Sequence, residues 1–384
     1  MGLSVIDLQP YLRWREDSLA QTAAAAAAAA ADGSEESSRE FNGLVEMELN
    51  DEGLRSSCEN VATCLRETGA LVVKDPRCSS KDNDEFLDMM ERYFGQSDAL
   101  KRKQERPDLH YQVGVTPEGV EMPRCAVDKE LQQVMQTLPA DARPHMPTGP
   151  DPKWRYMWRV GPRPSKTNFQ ELNSEPVVPE GFPEWVELMN GWGHKMISAV
   201  EIVAEMAAIG FGLPRTSFTS MMANGPHLLA PTGSNLSKYN ELGYVFAGYH
   251  YDLNFLTIHG RSRFPGLFIW LKDGHKVPVK VPEGCLLLQA GKQLEWLTGG
   301  ECAAGMHEVV VSENTQEAIK AARNSGHSLW RVSSTTFAHI ASEAVLQPLG
   351  HFAAAAGAHQ YTPIHAGDFV EAELAAINLK RAPC

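Results

Sequence analysis

The chain has 384 residues, 43% hydrophobic and 22% charged, with 35 Lys and Arg against 48 Asp and Glu for a net charge of −13. That length holds one large domain or two modest ones around a sizeable core. The acidic balance argues against a nucleic-acid backbone or an anionic membrane as the main partner.

Seven cysteines (Cys58, Cys64, Cys78, Cys125, Cys285, Cys302 and Cys384) form no CxxC pair and are odd in number, so they read as reduced thiols rather than a disulfide frame or a zinc site. The opening MGLSVIDLQPYLRWRED lacks the apolar run of a signal peptide, and no stretch approaches the roughly 18 apolar residues of a membrane span. The sequence therefore predicts a soluble cytoplasmic protein, expected to be a monomer, with no nucleic acid and no membrane as partner.

In chain order, a short strand VIDLQPYL is followed by the alanine run Ala23–Ala31 and the polar DGSEESSRE. Nine alanines offer no apolar stripe, and the Ser/Glu tail is typical of disorder, so residues 20–40 are expected to be a mobile insert without a catalytic role. Helices are expected over Glu52–Glu67 and Asp82–Phe94, the latter with Phe86, Met89, Met90 and Tyr93 on one face, and a buried strand over Gly69–Asp75. Residues 107–152 read as loop with one strand pair, and WRYMWRVGPRP (Trp154–Pro164) is dense in aromatics and arginine. Phe182–Leu213 carries apolar residues at helical spacing, ended by GFGLP, and is expected to be a core helix.

After Pro214 the pattern changes to short strands: HLLAP, GYVFAGYHYD, LNFLTIH, GLFIWLKD, HKVPVKVP, GCLLLQA, QLEWLTG, HEVVVS and RVSSTTFAHI, with one short helix at Thr315–Arg323. Tight turns without intervening helices predict an antiparallel sandwich, barrel or jelly roll. The expected organisation is an α/β region over 1–213 packing on a mainly β core over 214–345, with an extension over 346–384.

Chemistry is concentrated in that core. His250 and Asp252 are two residues apart, so on a strand both face one side, and His307 opens a later strand. Two imidazoles and one carboxylate make a facial set that holds Fe(II) with open positions, although zinc accepts the same donors. His259 and His339 read as packing or surface residues. Arg331 and Ser333 form a second same-face pair, a fork and a hydroxyl suited to a carboxylate.

On His250-x-Asp252, the following LTIH, the run GLFIWLKDGHKVPVKVPEGCLLLQAGKQLEWLTGG, His307 and Arg331-x-Ser333, the chain resembles the Fe(II)- and 2-oxoglutarate-dependent oxygenases of the isopenicillin N synthase-like branch. The resemblance is close over residues 225–342 and looser before them. It implies a double-stranded β-helix (distorted, cupin-like jelly roll) core flanked by N-terminal helices. Fe(II) would sit on His250, Asp252 and His307, with 2-oxoglutarate held by Arg331 and Ser333, O2 as the other reactant, and ascorbate as a further cofactor. The implied reaction is hydroxylation or desaturation of a small molecule, with succinate and CO2 as co-products.

Three departures accompany it: HLLAPTGSNLSKYNELGY replaces the usual Asn-Tyr-Tyr-Pro stretch, the His307–Arg331 interval is long, and Arg-x-Ser also occurs in relatives that do not use 2-oxoglutarate. An oxidase of the same fold that dispenses with 2-oxoglutarate and a non-catalytic binding module stay open as alternatives. Arg155, Trp158 and Arg159 are candidates to line a pocket for an acidic or aromatic substrate, or else belong to a structural strand.

Overall fold

The computed structural model describes residues 3–32, 49 and 51–380. Its strands are β1 (Val5–Asp7), β2 (Ala70–Lys74), β3 (Gly114–Thr116), β4 (Trp154–Val160), β5 (His227–Leu229), β6 (Thr232–Asn235), β7 (Val245–His250) and β8 (Leu256–His259), then β9 (Leu267–Trp270), β10 (Lys276–Pro278), β11 (Leu286–Ala290), β12 (Met306–Val310), β13 (Trp330–Ser333), β14 (Thr335–Ala338), β15 (Val345–Leu346) and β16 (Ile364–His365). A large sheet runs in the order β1-β2-β11-β8-β14-β5-β4-β6-β13 with β3 on β4, and a small one in the order β10-β9-β12-β7. Every pairing is antiparallel except β1 with β2. The two sheets make a jelly-roll core that does not close into a barrel. Four strands from before residue 214 belong to the large sheet, so much of the segment expected to pack on the core is woven into it.

Helices cover the large sheet. The Trp185–Gly210 helix buries Trp185, Met189, Trp192, Met196, Val200 and Val203, the stripe legible in the sequence. It lies close against the Glu52–Glu67 helix: a Cβ on Gly210 would stand 2.1 Å from the Cys58 carbonyl oxygen, so only glycine admits this approach. Asp51 caps the Glu52–Glu67 helix through the Leu54 N–H. Ser79 and Asp82 form a capping box for the Ser80–Phe94 helix, whose Phe86, Met89, Met90 and Tyr93 are fully buried.

Three elements differ from expectation. The alanine run is not an irregular insert: it continues a helix, Gln9–Asp32, that Tyr11 and Leu12 anchor in the core and that alanine's high propensity propagates. Residues 33–40 of the expected insert lie outside the described residues. QLEWLTG forms the helix Lys292–Leu297, because Leu294 and Leu297, three residues apart, share the buried side; so short an apolar run does not fix its own period. RVSSTTFAHI is two strands, broken at the buried Ser334, which takes a hydrogen bond from Trp192 Nε1 at 2.6 Å. The helix foreseen at Thr315–Arg323 is present as Glu313–Ser325 and accounts for the long His307–Arg331 interval. Among the described residues no helix is long and apolar enough to cross a membrane, and six cysteines are free thiols.

Candidate metal centre and its cavities

His250 ends β7 and His307 lies directly opposite it on β12, both in the small sheet. Asp252 stands just past the end of β7 rather than within it, yet its Oδ1 lies 3.8 Å from Nε2 of each imidazole. One ligand atom from each of the three falls within 4.8 Å of the others, and among the described residues this is the only such group of three or more His, Cys, Asp or Glu side chains.

The surroundings set the state of each donor. His250 Nδ1 is 2.6 Å from the Gly248 carbonyl oxygen and His307 Nδ1 3.3 Å from that of Gly305. A carbonyl only accepts, so Nδ1–H donates and Nε2 presents a lone pair toward Asp252. Burial, reinforced by neighbouring His307, pushes His250 down to about 3, which keeps it neutral and able to ligate. Burial alone would raise Asp252, but His307, His250 and the Thr257 hydroxyl, donating to Oδ2 at 2.7 Å, outweigh it and hold the carboxyl below its usual range. An imidazole pair facing an ionised, hydrogen-bonded carboxylate is the donor set that suits Fe(II) or Zn(II).

The triad lines a cavity between the two sheets, about 600 Å³ counting its open mouth. Large-sheet residues on its walls alternate along their strands: Thr232 and Ser234 on β6, Arg331 and Ser333 on β13, Thr335 and Phe337 on β14. Arg331 is buried, donates Nε–H to the Pro265 carbonyl at 3.2 Å, and forms no ion pair among the described residues. Burial lowers its pKa to about 10, which leaves it a cation at neutral pH. Ser234 stands opposite Arg331 and Thr232 opposite Ser333 in the β6–β13 register. Sequence reading missed these two hydroxyls, since nothing in TGSN discloses the pairing. His259, expected to be packing, lines the same cavity and is held by Thr335 Oγ1 and Gln289 Oε1, both at 3.0 Å.

A second cavity, about 500 Å³ counting its open side, meets the first at Arg155, His250, Asp252 and Phe337. Its outer wall is Leu374, Ile377 and Leu379, at the end of the Ala366–Ala376 helix and just beyond it. Of the three candidates from WRYMWRV, only Arg155 reaches either cavity. Trp158 lies on the opposite pleat, bonded to Asn190 Oδ1 at 2.9 Å. Arg159 shares the Arg155 face but sits four residues, roughly 13 Å, farther along, and its guanidinium donates to the Val160, Pro162 and Asn224 carbonyls.

The two-sheet core thus carries a candidate metal site of two imidazoles and one carboxylate, beside a buried arginine that forms no ion pair among the described residues. Residues 236–340 match the sequence profile of the 2OG-Fe(II) oxygenase superfamily. The fold agrees with solved structures. A Caulobacter crescentus protein described as of the 2OG-Fe(II) oxygenase family shares 20% identity, with 86% of this chain and 96% of that chain covered, at a TM-score of 0.67. A full-length Neurospora crassa protein, solved in complex with alpha-KG, shares 15%, covering 97% and 96%, at 0.67. The rice dioxygenase for auxin oxidation shares 16%, covering 87% and 97%, at 0.59. No curated protein sequence matches the chain.

Proposed function

We propose that the protein oxidises a small organic molecule with O2 and 2-oxoglutarate, using Fe(II) held by His250, Asp252 and His307, with the distal carboxylate of 2-oxoglutarate held by Arg331 and Ser333. The observation that carries this reading is Arg331: a buried cation without an acidic partner among the described residues, on the wall of the cavity that the triad also lines. An unpaired buried charge is costly, and a carboxylate ligand offsets that cost with charge-assisted hydrogen bonds.

The donor set fits the ion, since both imidazoles offer Nε2 and the carboxylate is ionised. When bound, Fe(II) would activate O2, the oxidant, with 2-oxoglutarate giving up two electrons as it becomes succinate and CO2. The chain's own residues position and protect. Gly248 and Gly305 fix the imidazole orientation, Thr257 holds Asp252, and Ser234 and Thr232 place hydroxyls beside the clamp. The apolar walls from Phe246, Leu267 and Val309 limit water at the reacting centre.

Incubation of the Fe(II)-loaded protein with labelled 2-oxoglutarate and O2 should release labelled succinate, and the Asp252→Ala variant should release none. Equal succinate from both proteins would refute the assignment.

A further inference from the structure

We propose that the second cavity binds the organic substrate, and that this substrate is an uncharged, largely apolar small molecule with one hydrogen-bonding group read by the His339 imidazole. The inference rests on the iron and 2-oxoglutarate reading, which assigns the Arg331 side of the triad to the cosubstrate.

The first cavity touches all three triad residues and the second only His250 and Asp252, and the two differ in charge. In the first, Arg331 has no acidic partner among the described residues. In the second, the one arginine is already ion-paired: Arg155 meets Glu121 at 2.8 and 3.1 Å. Lys153 completes the cluster, 3.0 Å from Glu121 and 2.6 Å from Asp151. Both cations thus have a carboxyl partner within the cluster. Burial alone would raise Glu121, but Arg155 and Lys153 outweigh it and hold its pKa at about 2, so it stays ionised on the cavity wall. An anionic substrate would be desolvated there beside a carboxylate and would meet no free cation.

The remaining walls are mainly apolar: Met157, Leu228, Phe337, Leu374, Ile377 and Leu379. Of the polar residues, Asn254 is engaged with Ala338 and Thr257, and Gln112 donates to the His110 carbonyl. His339 differs from both. The residue is 3% exposed and lines the cavity; among the described residues its ring forms no hydrogen bond, and Nδ1 is buried without a partner. Only its backbone N–H is used, donating to His227 Nδ1 at 3.0 Å. Burial, with Arg159 adding to it, depresses the imidazole to about 3, so it is neutral, with one N–H and one lone pair. A neutral donor and acceptor in an apolar chamber suits a hydroxyl or carbonyl, not a carboxylate.

The test uses the full chain loaded with Zn(II) and 2-oxoglutarate, with 2-naphthol and 2-naphthoate as matched probes at pH 7.5 in equilibrium dialysis. Naphthol should bind at least tenfold more tightly than naphthoate. Leu374→Trp, which fills the cavity, should lower naphthol binding at least tenfold. His339→Leu should lower it about three- to tenfold, the range of one neutral hydrogen bond, and leave naphthalene binding unchanged. Both variants should bind 2-oxoglutarate as the wild type does, which also shows that they fold. No naphthol binding, equal or tighter naphthoate binding, or indifference to Leu374→Trp overturns the inference. If the wild type fails to bind 2-oxoglutarate, the underlying reading falls; if 2-oxoglutarate binds and the naphthol preference is missing, this inference alone falls.

Discussion

His307 faces His250 across the β12–β7 ladder with ring centroids 4.1 Å apart, and both turn toward the Asp252 carboxylate that Thr257 holds at 2.7 Å. The ladder register fixes the histidines, but the carboxylate lies beyond the strand and depends on a single hydroxyl. Thr257→Val should therefore weaken divalent-metal binding about 10- to 100-fold, the usual penalty for losing a partner behind a ligand, while leaving the fold intact. Metal titration monitored by isothermal calorimetry checks this; unchanged affinity would show that Asp252 needs no such support.

Arg331 gives a prediction in which stability and binding part company. Because it is buried without an acidic partner, Arg331→Leu should leave stability within about 1 kcal/mol of wild type in urea unfolding without cosubstrate. The same change should weaken 2-oxoglutarate binding about 100-fold, and Arg331→Lys less, since lysine keeps the charge but loses the fork. A large stability loss with unchanged 2-oxoglutarate binding would make Arg331 a structural residue.

The Ala366–Ala376 helix is tied to the loop beside the triad. Glu373 accepts from Arg124 Nη1 at 2.7 Å and from the Tyr251 hydroxyl, whose ring also lies beneath the Arg124 guanidinium at 5.4 Å. Glu373→Ala should loosen this wall by about 1–2 kcal/mol. Hydrogen exchange should rise about tenfold over residues 366–376. Exchange unchanged there would mean that apolar contacts alone seat the helix.

His227 sets a pH dependence. It is buried, and desolvation first, with Arg159 and His339 beside it, lowers its pKa to about 3 in the folded protein, against about 6.5 when unfolded. The unfolded chain then binds the extra proton between these values, so stability falls as pH drops below about 6.5. From pH 7 to 5.5 this single group should cost about 1 kcal/mol, a loss that His227→Gln should not show. Identical pH slopes for the two proteins would contradict the assignment.

Much of this was legible in the sequence because it depends on local period. The same-face pair Arg331/Ser333, the buried stripe of Trp185–Gly210 and the helix inside the His307–Arg331 interval follow from side-chain spacing, whereas His250 and Asp252 line one cavity although Asp252 lies beyond the strand. Trp158 could have been removed on the same ground, since a residue three positions from Arg155 on a strand lies on the other pleat. What spacing cannot give is the partner across a ladder or a cavity. Ser234 opposite Arg331, His339 in the cavity that Asp252 also lines, and Glu121 paired with Arg155 come from strands and loops far apart in the chain. The alanine run shows a different failure, in which composition suggested disorder while propensity extended an anchored helix to Asp32.

The central claim is that His250, Asp252 and His307 together hold one Fe(II). Anaerobic equilibrium dialysis of Fe(II) against the wild type, Asp252→Ala and His307→Ala, each first shown to be folded by circular dichroism, measures it directly. The wild type should retain about one iron per chain and gain thermal stability, about 2.7 kcal/mol at a hundredfold excess of free metal over Kd. Both variants should retain almost none. Equal iron in all three proteins would contradict the claim and move the metal elsewhere.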